Sequence, residues 1–281
     1  MIPREKLAAL CAEINGLCGL YVSVPGENER FLLNESAFCY AASTIKVPLL
    51  CLLFQDSEDG RLDLSTKVTV RPENRVGGSG ILQSLNPRLE MTLFDLAELM
   101  IVMSDNIATN ELIDTVGMER ISAYCKENGL PNTWLWSKMM NPNPVNPPHL
   151  PKELPINAIC AGDLGGLLER IAAGTIVSRE ACQNMIRIMA GQRLGRFKTL
   201  LPCVKRENPY DDRPLLPPQG KVLAATKGGT KAEIGCIHDS GIFILPDGRY
   251  YVMAAVTKSS NTAKAEEILR QIGLVMYEAM K

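Results

Sequence analysis

The run Ser43-Thr44-Ile45-Lys46 places a hydroxyl and an amine three residues apart, at the head of the apolar stretch Val47 to Phe54. If a helix begins at Ser43, both side chains leave the same face and the amine can reach the hydroxyl. A serine hydroxyl is a weak nucleophile at neutral pH and needs a neighbour that takes its proton during attack. A lysine does this only when neutral. Desolvation by the surrounding leucines, Ile45 and Phe54 lowers the lysine pKa, and a nearby cation lowers it further. No acid lies between residues 43 and 55 to hold the ammonium charged. The bland reading of the same residues is a helix start, with Ser43 as cap and Lys46 extending to solvent. An isolated Ser-x-x-Lys favours that reading, so the pair has to be judged with the rest of the chain.

Thr92-Leu93-Phe94-Asp95 has the capping-box spacing, and Leu93, Leu96, Ala97, Met100 and Met103 recur on one face of the helix that follows. That helix is expected to stop near Ser104-Asp105-Asn106, where a second begins and runs to Gly117. Ser104 and Asn106 then sit in a short turn between two core helices, where loop side chains are held rigidly into a cleft. Alone, Ser-Asp-Asn is equally well explained as capping chemistry. Residues 137–155 hold six prolines, which exclude regular helix and sheet. A loop of this length inside a compact domain is usually functional or disordered.

An amphipathic helix is expected over residues 4–15, followed by strands from Cys18 to Val24 and Glu29 to Asn34 about the turn Pro25-Gly26-Glu27-Asn28. Helical pattern dominates to about residue 200. Strand pattern returns at Lys221 to Thr226, Ile234 to Leu245 and Tyr250 to Thr257, the last two joined by Pro246-Asp247-Gly248-Arg249, before a final helix from Thr262 to Met280. Strands at both ends around a helical middle predict an α/β (α+β) architecture. Residues 1–42 and 200–281 are expected to form an antiparallel sheet lobe with flanking helices, and 43–199 an all-helical lobe, with the site in the cleft between them.

A net charge of −1 from 30 basic and 31 acidic residues argues against a nucleic-acid partner and for a small-molecule substrate. Nine cysteines are scattered without a C-x-x-C spacing, and with only His149 and His238 present no metal-ligand spacing occurs, so neither metal nor cofactor is expected. An odd count favours free thiols in a reducing compartment. Met1 to Lys6 carry no apolar signal core and no stretch is long enough to span a bilayer. A cytoplasmic monomer without a membrane partner is the expectation, although a chain trimmed of an export signal would read the same way. His238 reads as a packed strand residue rather than a base, and His149, among prolines, as exposed.

In order, Ser43-Thr44-Ile45-Lys46, Ser104-Asp105-Asn106 and Lys227-Gly228-Gly229-Thr230 resemble the three motifs of the penicillin-recognising serine hydrolases, most closely the class A β-lactamases. The similarity extends through Arg71 to Gly80, Asp114, His238 to Gly241 and Pro246-Asp247-Gly248, and is weakest between Ser137 and Ala161. The resemblance implies the β-lactamase/transpeptidase-like fold and an enzyme that opens a β-lactam or related amide through a seryl ester. It implies Ser43 as nucleophile, Lys46 as base and Ser104 as proton relay. Asn106 would bind the substrate amide, Lys227 would attract a carboxylate and keep Lys46 neutral, and the Ser43 and Thr230 amides, beside Gly229, would hold the oxyanion. A D-alanyl peptidase, an esterase, or a penicillin-binding sensor that acylates and then stalls are the alternatives.

Two departures stand out. Gly228 replaces the hydroxyl residue that usually follows the third-motif lysine, thinning the carboxylate contact unless Thr230 or Lys231 supplies it, and the strand Ile234 to Leu245 lacks the arginine many members keep there. The family's water-activating glutamate also has no counterpart where Met139-Met140 resembles the start of its loop. Glu153 with Asn157 repeats the family's Glu-x-x-x-Asn spacing, yet it lies near the next helix and reads more simply as a solvated acid beside Lys152.

Overall fold

The strand pattern at the two ends of the chain folds into one antiparallel sheet. The computed structural model describes residues 1–204 and 215–281; residues 205–214, part of the segment assigned to the sheet lobe, lie outside the described residues. The helices are α1 (Arg4–Ala12), α2 (Lys46–Glu58), α3 (Leu93–Val102), α4 (Asn106–Val116), α5 (Met118–Glu127), α6 (Ala161–Ala173), α7 (Arg179–Ala190) and α8 (Thr262–Met280). The strands are β1 (Gly16–Val24), β2 (Glu29–Leu33), β3 (Phe38–Tyr40), β4 (Lys67–Thr69), β5 (Glu90–Thr92), β6 (Trp134–Leu135), β7 (Asn157–Cys160), β8 (Leu223–Thr226), β9 (Gly229–Lys231), β10 (Cys236–Ile244) and β11 (Tyr250–Ser259).

The main sheet runs β2-β1-β11-β10-β8, and β9 pairs with the opening residues of β10. Side chains alternate across a strand, so each central strand serves two cores. Leu20, Val22, Met253, Ala255 and Phe243 meet α1 and α8 through Leu7, Ile268, Leu269 and Ile272. Tyr21, Val252, Ala254, Val256 and Ile242 face the other way, in one cluster with α2, α3, α4, α6 and α7. Residues 43–199, expected to be all helical, also carry the short strands β4, β5, β6 and β7, which form the smaller sheets β3-β7-β6 and β4-β5 because the chain between the helices runs extended there. No helix among the described residues is long and apolar enough to cross a membrane.

Helix α2 is buried on nearly every side, as a helix that is apolar all round must be. The sequence places a helix start at Ser43; instead Ala42–Ile45 form a single 3₁₀ turn and the α-helix begins at Lys46. In that tighter winding residues i and i+3 eclipse, which aligns Ser43 with Lys46 more closely than an α-turn would. The capping box forms as expected. Thr92 Oγ1 accepts from the Asp95 amide at 3.0 Å and the Asp95 carboxylate accepts from the Thr92 amide at 3.1 Å, fixing the start of α3. Helix α4 ends at Gly117, whose φ of 90° only glycine adopts readily.

Candidate active site

Lys46 is fully buried, yet its amine is surrounded by acceptors: Ser104 O at 2.7 Å, Asn106 Oδ1 at 3.1 Å and Ser104 Oγ at 3.2 Å. Burial pushes its pKa well below the ordinary lysine value, and the neighbouring Lys227 charge pushes the same way, against a smaller opposing pull from Asp105. Ser43 is half-buried and opens onto a cleft of about 410 Å³ that Ser104, Lys227 and Thr230 also line. Ala42, immediately before it, has φ 47°, and Ser104 has φ 52°. Left-handed backbone at non-glycine residues costs on the order of 1–3 kcal/mol and persists where surrounding structure dictates it.

Asp105 is the buried organiser of the second motif. One oxygen caps α4 by accepting from the Ile107 and Ala108 amides, while the other accepts from the Ile81 and Leu82 amides. The Asn106 side chain spans Lys46 and the carbonyl of Gly77 at 3.2 Å. The segment 77–82 is thereby sewn to the turn that carries Ser104.

Lys227 is also fully buried, and its amine donates to Ser104 Oγ at 2.9 Å. Its pKa falls to about 7, driven first by burial and assisted by Arg196, with Asp239 opposing. Both acceptor sites of the Ser104 hydroxyl are therefore matched by lysine amines, and its single O–H remains to donate elsewhere.

Strand β9 presses Gly229 against the Ser43 turn. A β-carbon there would lie 2.9 Å from the Ser43 amide nitrogen and 3.1 Å from Ala42 Cβ, so a side chain at 229 would crowd that amide. At Gly228 a β-carbon would meet Arg196 Nη1 at 3.1 Å. Arg196 donates to Thr230 Oγ1 at 2.8 Å and to His238 O at 3.3 Å, and ion-pairs with Glu266 at 3.2 Å. The absence of a side chain after Lys227 leaves room for a guanidinium, which comes from the segment after α7 and not from β10. Asp239, fully buried on β10, holds that segment by accepting from the Phe197 amide at 2.7 Å. Lys231 points away, over the Tyr40 ring. Sequence spacing gave no notice of Arg196, which lies 34 residues from Thr230.

The proline-rich loop brings no acid into the cleft. Asn110 clamps Met139 by both backbone groups, at 2.7 and 3.1 Å, and Asn157 accepts from the Trp136 and Ser137 amides. Glu153 is exposed and Asn157 is buried against Trp136 and Ser137, and neither lines the cleft, so the Glu-x-x-x-Asn spacing brings no pair of side chains to Ser43. His238 packs within β10 and His149 is exposed against Trp136, as the sequence suggests. Glu266 is the one carboxylate among the described residues lining the cleft, and it is ion-paired with Arg196 and Arg270.

A sequence profile of the Beta-lactamase enzyme family matches residues 3–280. The chain belongs to that family. A beta-lactamase from Rhodobacter capsulatus is 33% identical over 142 residues, a match spanning 47% of this chain and 45% of that protein, less than half the relative's length. Among solved structures, the beta-lactamase from Sphaerobacter thermophilus DSM 20745 aligns with a TM-score of 0.83 at 27% identity, covering 99% of this chain and 98% of its own. PBP-A aligns with a TM-score of 0.78 at 28% identity, over 99% and 95%. Both likenesses span Ser43 and Lys46 through Lys227, so family membership and the cleft geometry concern the same residues.

Proposed function

We propose that this beta-lactamase family member opens a β-lactam or related amide by acylating Ser43, in the cleft between the lobe of residues 1–42 and 200–281 and the lobe of residues 43–199. The observation that carries the reading is the meeting of two buried lysine amines on the Ser104 hydroxyl. Ser43 Oγ attacks the carbonyl carbon while neutral Lys46 takes its proton. A neutral amine has two N–H groups and one lone pair. Of its three contacts the two shorter, to Ser104 O and Asn106 Oδ1, take the N–H groups; the longest, to Ser104 Oγ, is given up when the amine is neutral, Lys227 still serves that oxygen, and the lone pair is left for Ser43. The Ser43 and Thr230 amides hold the oxyanion. Ser104 gives its proton to the departing nitrogen and recovers one from Lys46, so the proton count closes. Asn106 binds the acyl amide, and Lys227 with Arg196 and Thr230 attracts a substrate carboxylate, for which Gly229 keeps the strand close.

Hydrolysis of the ester is the slow half of this reading. No free carboxylate among the described residues lines the cleft, so no side chain matches the task of activating water. A mutant of PBP-A has been solved as an acyl-enzyme complex with penicillin G, and a comparably trapped adduct is proposed here. The protein then acts as a slow hydrolase or penicillin-binding protein, working as a monomer on a small molecule. Its nine free thiols fit a reducing compartment. Intact-mass spectrometry after mixing with a penicillin tests this: a one-to-one adduct that persists for minutes or longer supports it, and its absence in Ser43→Ala assigns the nucleophile. An undiminished adduct in Ser43→Ala would sink the assignment, and rapid turnover without an adduct would sink the slow deacylation.

A further inference from the structure

Cys39, Cys236 and His238 converge behind the cleft. All three are buried, and their sulfur and nitrogen atoms lie within 4.8 Å of one another. Cys39 sits on β3, four residues before Ser43, while Cys236 opens β10, whose next residues pair Ile237 with Thr230 and His238 with Gly229. The two sulfurs therefore join the elements whose relative position sets the acylation site.

A soft metal is the first occupant such a trio suggests, but His238 is already committed. Its Nδ1 accepts from the Thr257 amide at 3.1 Å, so the ring proton is on Nε2, which donates to Tyr40 O at 2.9 Å. A metal at Nε2 would displace that proton, and Nδ1, facing an N–H, has no acceptor with which to hold it. Metal-bound histidines instead donate from the second nitrogen. What remains is a pair of thiols. With the two sulfurs within 4.8 Å of each other, the neighbouring Cys39 thiol, then His238 and Lys258, draw Cys236 down against the opposing effect of burial, while Cys236 and burial push Cys39 up. A thiolate beside a thiol is the arrangement of an attacking and a resolving cysteine.

We propose that Cys39 and Cys236 form a redox-active pair that a hydroperoxide converts to a disulfide, and that the bond displaces Ser43 relative to Thr230. The Cys236 thiolate attacks a peroxide oxygen and breaks the O–O bond, leaving a sulfenic acid and one water. The Cys39 sulfur then displaces the sulfenic oxygen as a second water. Two thiols lose two electrons and two protons, and one hydrogen peroxide becomes two waters. An S–S bond is about 2.05 Å long, so the sulfurs approach by less than about 3 Å, partly by side-chain rotation and partly by movement of β3 toward β10. Misplacement of reacting groups by about 1 Å costs on the order of 10²-fold in rate. The rate effect rests on the proposed acylation of Ser43; the disulfide does not.

The test treats reduced protein with hydrogen peroxide, alkylates free thiols and maps the digested peptides. A peptide pair linking Cys39 to Cys236 is expected, with labelling by a fluorescent penicillin slowed tenfold or more and restored by dithiothreitol. Cys39→Ala and Cys236→Ala should each label like reduced wild type and resist peroxide. Cys11 on α1 and Cys18 on β1, both buried in the core on the other face of the sheet, stay intact in both variants and control for oxidation elsewhere. Both sulfurs recovered alkylated after peroxide would overturn the proposal, as would zinc copurifying at one equivalent and shielding them. Equal labelling before and after a demonstrated linkage would overturn the coupling. If reduced protein fails to label at all, the functional reading falls and the peptide map still decides the pair.

Discussion

Two adjacent glycines make the sharpest test of the site. At Gly229 an added β-carbon meets the Ser43 nitrogen at 2.9 Å and the Thr44 nitrogen at 3.1 Å, both backbone atoms that cannot rotate aside. Either β9 or the Ser43 turn must then retreat by roughly half an ångström to restore contact distances near 3.5 Å. Gly229 has no positive φ, so alanine there suffers contact and not backbone strain. Removing one oxyanion donor from a serine hydrolase costs about 10²–10³ in rate, or about 3–4 kcal/mol. A displaced donor should approach the lower figure, so Gly229→Ala is expected to slow acylation about 100-fold. At Gly228 the nearest atom is the end of the Arg196 side chain, at 3.1 Å, with Asp239 Oδ1 and Leu194 O each at 3.3 Å, so the neighbours give by a few tenths of an ångström at most and none of them belongs to the Ser43 turn. Gly228→Ala should therefore slow acylation less than about tenfold, since it disturbs the Arg196 contacts and leaves the Ser43 amide in place. The assay is the pseudo-first-order rate of labelling by a fluorescent penicillin, with melting temperatures confirming that both variants fold. Rates for the two within threefold of each other, in folded proteins, would refute the close approach of β9 to Ser43 as the reason for glycine.

Arg196→Ala should slow acylation by a carboxylate-bearing penicillin by about 10- to 100-fold, the scale of a lost charge-assisted hydrogen bond, and leave a neutral thioester nearly unaffected; equal losses would place Arg196 outside substrate binding. Burial lowers the Lys227 pKa from 10.5 to about 7, so its charge opposes folding fully below pH 7, and the penalty fades toward pH 10.5 while the unfolded chain still holds the proton. Lys227→Met should accordingly melt higher than wild type at pH 6–7, with the gap closing by pH 10; a gap that widens with pH would reverse the sign of the argument. Glu153→Gln should leave the lifetime of the penicillin adduct unchanged by intact mass, because Glu153 is exposed and off the cleft; a several-fold longer lifetime would return it to the mechanism.

What the sequence made legible was what local rules govern. The capping box at Thr92 and Asp95, the stop at Gly117 and the turn at Pro246 to Arg249 each depend on residues within a few positions, and each element lies where they place it. The three motifs converge because each occupies the end of such an element. The 3₁₀ turn at Ser43 was not legible, since it depends on β9 pressing in from almost 200 residues away. Arg196 was hidden for the same reason: its guanidinium reaches the site only because buried Asp239 anchors the next amide. Cys39 and Cys236 escape any spacing rule, being brought together by β3 crossing β11 and by the register of β10. Glu153 shows the converse error. Its spacing from Asn157 matches a family pattern, but spacing fixes separation along the chain and not the direction of a side chain, and here the loop turns the carboxylate to solvent. In the proposed reaction acylation relies on motif residues anchored in regular elements, whereas deacylation relies on what a proline-rich loop presents. The half-reaction that decides between a hydrolase and a trapped adduct is thus the one least accessible to sequence, and the pairing of Glu266, the one carboxylate among the described residues lining the cleft, with Arg196 and Arg270 is the structural reason to expect the trapped adduct.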